Sequence, residues 1–172
     1  MLSETILDAA ELTRVWRQLA QDDSLPDRYE LSEHGEVILM SPSPTNQHQV
    51  LCSEIAYQLR AQLGGKAVTD LAVLTRDAGV RKPDVAWMPG PRWAAVQAGE
   101  TLLDAPELLV EVLSPGNRRS EIAHKLRAYL ASGTTEVIVV ALDGSIAFHR
   151  ADGVHPQSAF GVTLDLSDST FN

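Results

Sequence analysis

The chain has 172 residues, 44% of them apolar, with a formal net charge of −9 and one cysteine. That length fits one domain able to bury a core, a lone cysteine leaves no disulfide framework or cysteine-rich zinc site, and the acidic balance argues against broad electrostatic attachment to nucleic acid or anionic lipid. Any polyanionic substrate must then be met by a local basic patch or by metal ions. The N-terminal stretch mixes acids and bases without the order of a signal peptide, and no apolar run approaches membrane-spanning length. A soluble, cytoplasmic protein with no membrane partner is expected.

Residues 8–20 read as an amphipathic helix, with Leu7, Leu12, Val15, Trp16 and Leu19 close to helical spacing. "RYELSEHGEVILM" reads as a hairpin turning at Glu33, His34 and Gly35, and "SPSPTN" at 41–46 as a loop. From Gln47 to Leu63 the positions Leu51, Cys52, Ile55, Leu59 and Leu63 form one helical stripe stopped by Gly64 and Gly65. Cys52 reads as a small buried hydrophobe. "KAVTDLAVLT", "PDVAWM" and "ELLVEVL" then read as three strands, with "MPGPRW" at 88–93 a loop. The last of the three is apolar on both faces, as central strands are. A helix is expected from about Arg118 to Ser132, ended by Gly133, followed by the hairpin "EVIVVALDGSIAFHR" around Asp143 and Gly144. Residues 151–172 offer at most one weak strand, "GVTLDL". The fold class is α/β: a mixed β-sheet of about five or six strands flanked by helices.

Two of these apolar strands carry acids. Period-two alternation puts Asp84, Ala86 and Met88 on one face, and Glu107, Leu109, Glu111 and Leu113 on one face of the next strand. A buried, unpartnered carboxylate costs several kcal/mol, so Glu111 must neutralise, find a cation or bind a metal. Lys125 shares the inward stripe of Ile122, Leu126, Tyr129 and Leu130, and the short chain between it and Glu111 lets its ammonium reach the carboxylates. His48 lies on the apolar stripe of the earlier helix, and Glu36 alternates with Ile38 and Met40 toward the covered side of the hairpin. Each has an ordinary reading beside the functional one: a structural salt bridge or turn acid for Asp84 and Glu111, a snorkelling stem for Lys125, a backbone-bonded helix-start residue for His48 and an exposed strand acid for Glu36. Asp84, Glu111, Lys125 and His48, four polar groups each on a face that should be buried, together favour a site.

"PD" at 83–84 followed by an apolar strand bearing Glu111 resembles the first two parts of the PD-(D/E)XK motif of restriction-endonuclease-like nucleases. The wider order "RYEL", "GEVILMSPSP", "QHQ", "RKPDVAW", "PELLVEVLSPGNR", "KLRAYLASGTTEVIVV" and "FHRADG" is similar to the Uma-type endonuclease family over roughly residues 28–153. The superfamily lysine position is here Leu113, and Lys125 on the next helix matches the lysine that takes over in that family. Glu36 and His48 match its hairpin glutamate and its histidine at the helix start. The resemblance implies one nuclease-like domain over residues 1–172 that hydrolyses DNA with Mg²⁺, or with Mn²⁺ as substitute. Asp84, Glu111 and the Val112 carbonyl would hold the ion, Lys125 would orient the water or stabilise the phosphorane, and His48 or Glu36 would complete the shell. A homodimer is an expectation of the same kind. A basic rim of Arg76, Arg81, Lys82, Arg118, Arg119, Lys125 and Arg127 would receive DNA, unless these are ordinary solvated charges. The alternatives are a catalytically inactive nuclease-like module that binds DNA or protein, and a hydrolase of small phosphorylated molecules. Against the latter, the chain has neither a Gly-rich phosphate loop nor a histidine-rich metal motif.

Overall fold

A computed structural model describes residues 5–40 and 43–169, so Ser41 and Pro42 of the expected 41–46 loop lie outside it, as do both termini. Helix α1 (Ala9–Leu19) begins where the Asp8 carboxylate accepts from the Glu11 amide and Glu11 accepts from the Asp8 amide. The hairpin β1 (Tyr29–Leu31) and β2 (Val37–Leu39) follows, then α2 (Asn46–Leu63), whose first turn is capped by the Thr45 hydroxyl. Next come β3 (Lys66–Thr69), β4 (Val73–Leu74), β5 (Val80–Arg81) and β6 (Val85–Met88). A short helix, α3 (Gly90–Ala94), leads to β7 (Leu103–Asp104) and β8 (Leu108–Val112). Helix α4 (Arg119–Ala131) and the strands β9 (Glu136–Val140), β10 (Ile146–Arg150) and β11 (Gly153–His155) complete the order.

The expected mixed sheet is six-stranded, in the order β11-β10-β9-β8-β6-β3, with β8 and β9 parallel and the other pairs antiparallel. A second sheet of very short strands, β2-β1-β5-β4-β7, accompanies it. Helices cover both faces of the larger sheet. Cys52, Ile55 and Leu59 of α2 pack on Val85, Trp87, Leu108, Val110 and Val112, while Tyr129, Leu126 and Leu130 of α4 pack on Ala86, Leu109 and Val137. Trp16 of α1 covers Tyr29, Leu31 and Val80 of the smaller sheet.

Three local expectations change. "KAVTDLAVLT" is two strands in different sheets, because the chain turns at Asp70, whose φ of 59° is left-handed. "MPGPRW" contains α3, with Pro91 in its first turn. "GVTLDL" forms no strand although Val162 and Leu166 are buried in the core. Its backbone is satisfied by side chains instead: the Gln62 and Gln58 amides each exchange two hydrogen bonds with Thr163 and Asp165, respectively.

Gly79 fixes the approach of β5 to β1. Its φ is +73°, and a Cβ there would stand 2.2 Å from the Leu31 carbonyl oxygen and 2.5 Å from the Ser32 backbone. At Gly144, φ is also positive at +82° but a Cβ would meet open space. Gly144→Ala therefore incurs only left-handed backbone strain, on the order of 1–2 kcal/mol. Gly79→Ala adds a collision of backbone with backbone, and urea unfolding should show it losing at least about twice as much stability as Gly144→Ala.

Candidate active site

The register Val85 with Val110 and Ala86 with Leu109 puts Asp84 across from Glu111 on the same face of the sheet. Asp84 is locked at the strand end from both sides. Its amide donates to the Val110 carbonyl at 3.0 Å, and its Oδ2 accepts from the Val112 amide at 2.7 Å. Glu111, 5% exposed, accepts from the Tyr129 hydroxyl at 2.9 Å.

Lys125 enters from α4, as its helical stripe requires. Its Nζ lies 3.9 Å from Glu111 Oε1 and 2.9 Å from Glu30 Oε1. Glu30 is a member of the cluster that sequence reasoning did not single out. It is buried at 4% exposure on β1, and it also accepts from Arg81 at 3.1 Å and from the Lys82 amide at 2.8 Å. Glu36, by contrast, is exposed at the turn end of the hairpin, just before β2 begins. The difference has a simple cause: β2 is only Val37–Leu39, and the turn holds the Glu36 amide against the Ser32 hydroxyl. The criterion that marked Glu111, an acid between apolar neighbours on a strand, also marks Glu30 between Tyr29 and Leu31.

Burial alone would raise the Glu30 carboxyl, but the Lys125 ammonium, the Lys82 amide and Arg81 outweigh it and hold it below the usual range. For Lys125, burial opposes the charge, yet Glu111 and Glu30 win and its pKa is raised. Glu111 receives too little of that compensation. Burial, with the charges of Asp84 and Glu30, pushes its carboxyl from 4.5 up to about 8 against the pull of Lys125 and Tyr129. Glu111 is thus the acid of the pocket that burial keeps protonated near neutral pH.

His48 stands at the first turn of α2 and reaches the end of the sheet. Its Nε2 lies 3.2 Å from the Val112 carbonyl oxygen and 3.4 Å from Asp84 Oδ1, and Nδ1 lies 3.6 Å from Cys52 Sγ. The bond to Asp84, seconded by Cys52, raises the imidazole to about 10. The structure therefore brings together Asp84, Glu111, Lys125, His48 and the Val112 carbonyl, adds Glu30, and leaves Glu36 outside.

The basic rim is smaller in space than along the chain. Arg81 is buried on Glu30, Lys82 pairs with Asp70 at 3.5 Å, and Lys125 is spent inside the cluster. Arg76, Arg118, Arg119 and Arg127 remain exposed. Among the described residues, no helix is long and apolar enough to cross a membrane.

A mixed sheet covered by helices on both faces, with two acids on adjacent strands and a lysine behind them, is a restriction-endonuclease-like α/β fold. The family model described as "Putative restriction endonuclease", Uma2, matches residues 16–169, and the chain belongs to that family. A solved structure described as a putative nuclease belonging to DUF820, from Anabaena variabilis, is similar with a TM-score of 0.70 at 20% identity, over 90% of this chain and 96% of that one. No curated protein matches the sequence.

The state of Glu111 sets a pH dependence. Between about 4.5 and about 8 the unfolded chain has released the Glu111 proton while the folded chain retains it, so the unfolded state binds fewer protons and stability falls as pH rises. Glu111→Gln removes this contribution. Without added metal, the stability of Glu111→Gln relative to the parent should grow across that window in urea titrations, and a flat difference would refute the protonated Glu111.

Proposed function

We propose that this protein is a Mg²⁺-dependent endonuclease that hydrolyses DNA phosphodiester bonds, with Mn²⁺ able to substitute. The observation that carries the reading is the buried Glu111 carboxyl opposite Asp84, short of cationic compensation beside a fully charged Lys125. The donor set fits a hard divalent ion: carboxylate oxygens of Asp84 and Glu111 and the Val112 carbonyl, all oxygen. A bound ion would favour the ionised form of Glu111, neutralise the scissile phosphate and acidify the attacking water.

The chain's own groups would do the rest. The Val112 amide fixes Asp84 and the Tyr129 hydroxyl fixes Glu111, so neither carboxylate needs to reorganise when substrate arrives. Lys125 keeps one N–H on Glu30 at 2.9 Å, which leaves other donors for a phosphate oxygen or the attacking water. Its raised pKa makes it a donor and a positive charge rather than a base. Water oxygen bonds to phosphorus and releases a proton to solvent, the phosphorus–oxygen ester bond breaks, and the leaving oxygen takes a proton from solvent. Glu30 and Arg81 act by holding Lys125 and the β1 strand in place. Arg118 and Arg119, exposed at the start of α4, would meet the phosphate backbone despite the overall charge of −9.

On supercoiled plasmid with Mg²⁺, Asp84→Ala should lose both metal binding by calorimetry and nicking. Lys125→Met should lose cleavage by about 100-fold or more while still binding metal, as loss of a transition-state donor does. Glu30→Gln should reduce nicking more than Glu36→Gln. Metal binding with no nicking by the parent protein would favour an inactive DNA- or protein-binding module. Replacing Arg118 and Arg119 by Ala should weaken DNA binding alike for all sequences and lower the salt-dependence slope by about 1 for each phosphate no longer neutralised.

A further inference from the structure

Cys52 is the one cysteine in the chain, and it is buried in the core at 2% exposure, yet it faces a histidine rather than hydrocarbon alone. Among the described residues, His48, Cys52 and Asp84 offer one ligand atom each within 4.8 Å of one another. We propose that these three residues form a site for a thiophilic transition-metal ion of the Zn²⁺ class, whose occupation withdraws Asp84 from the Mg²⁺ site and so inhibits the enzyme. The inhibition rests on the nuclease reading; the binding does not.

The geometry supports the site on three counts. His48 and Cys52 are four residues apart on one face of α2, and Nδ1 lies 3.6 Å from Sγ. A tetrahedral ion with Zn–S of about 2.3 Å and Zn–N of about 2.0–2.1 Å spans a ligand-to-ligand edge of roughly 3.6 Å. Nε2 rests 3.2 Å from the Val112 carbonyl oxygen, the kind of outer hydrogen bond that fixes the ring of a metal-ligating histidine; the same nitrogen lies 3.4 Å from Asp84 Oδ1, so Asp84 must turn from the Nε2 edge of the ring to reach an ion on Nδ1. The Val112 amide holds Asp84 Oδ2 at 2.7 Å, which leaves Oδ1 as the oxygen offered to the ion. Three protein ligands leave a fourth position for water, which is the arrangement of an open zinc site.

The chemistry separates this site from the Mg²⁺ site even though they share Asp84. A thiolate and an imidazole suit Zn²⁺ or Co²⁺, whereas Mg²⁺ prefers the all-oxygen set on the Glu111 side. Occupation replaces the Cys52 S–H proton and the Nδ1–H proton of the imidazolium by the metal and releases both protons to solvent, while Nε2–H stays on Val112. No oxidant or reductant is involved.

Co²⁺ provides a readout independent of DNA cleavage. Titrated into the full chain, it should produce a thiolate-to-cobalt charge-transfer absorption and the visible bands of a four-coordinate ion, bleached by Zn²⁺. Cys52→Ala should abolish the charge-transfer absorption. His48→Ala and Asp84→Asn should each weaken Co²⁺ binding by at least about tenfold. Excess Mg²⁺ should raise the apparent Co²⁺ dissociation constant of the parent chain, as competition for Asp84 requires. Zn²⁺ should inhibit Mg²⁺-supported nicking, with at least about tenfold more Zn²⁺ needed in Cys52→Ser. Circular dichroism confirms the fold of each variant, and Asp84→Asn decides where His48→Ala does not fold. Absence of the absorption in the folded parent, or Co²⁺ affinity unchanged in the folded ligand variants, overturns the site. A Co²⁺ affinity insensitive to Mg²⁺ overturns the shared Asp84. A parent chain that binds Co²⁺ as described but never cuts DNA refutes the nuclease reading alone.

Discussion

The ammonium of Lys125, seated between Glu30 and Glu111, is the contact on which the arrangement turns. It joins α4 to β1 and β8, which belong to different sheets. Two acids buried at 4% and 5% exposure could not face each other's elements without a cation between them. The same ammonium leaves Glu111 the poorer partner, at 3.9 Å against 2.9 Å for Glu30. The imbalance follows from counting donors. Glu30 also receives Arg81 and the Lys82 amide, whereas Glu111 receives the neutral Tyr129 hydroxyl.

Much of this was legible in the sequence because the relevant periods are short and local. Alternation grouped Asp84 with Ala86 and Met88, and Glu111 with Leu109, while the register of β6 on β8 is what puts the two acids on one side; the stripe of α4 turned Lys125 inward, again from a few neighbouring residues. Glu36 and Glu30 show where such reasoning ends. Glu36 lies opposite Ser32, whose amide donates to its carbonyl at 2.9 Å, so alternation does set it on the side of Ile38 and Glu30, but it falls at the turn end of the hairpin, where its side chain is exposed. β1 is buried at all of Tyr29, Glu30 and Leu31, and in a strand covered on both sides the period carries no information. Charge clustering misleads in a related way: Arg81 and Lys82 look like a rim beside Asp84 in the chain, but their partners Glu30 and Asp70 come from elsewhere in the sequence.

The two faces of the larger sheet do different work. α4 brings the ammonium and the phenol to one face, and α2 packs hydrocarbon on the other. Yet His48, in the first turn of α2, reaches past the strand ends to the oxygen atoms of Val112 and Asp84. The strand end at residues 84 and 112 is therefore where both helices can address the same atoms. Asp84 sits at that boundary rather than deep on either face.

The glutamine ladder along α2 has its own bearing on how much of the chain the molecule needs. Gln58 and Gln62 grip the backbone of Asp165 and Thr163 as a neighbouring strand would, which seats Val162 and Leu166 on the same cluster as Ile55 and Leu59. Residues beyond β11 thus act as a clasp. A chain cut after His155 would keep every residue of the acidic pocket but would bare hydrocarbon along the helix that aims His48, so the tail steadies the pocket from a distance without contributing an atom to it.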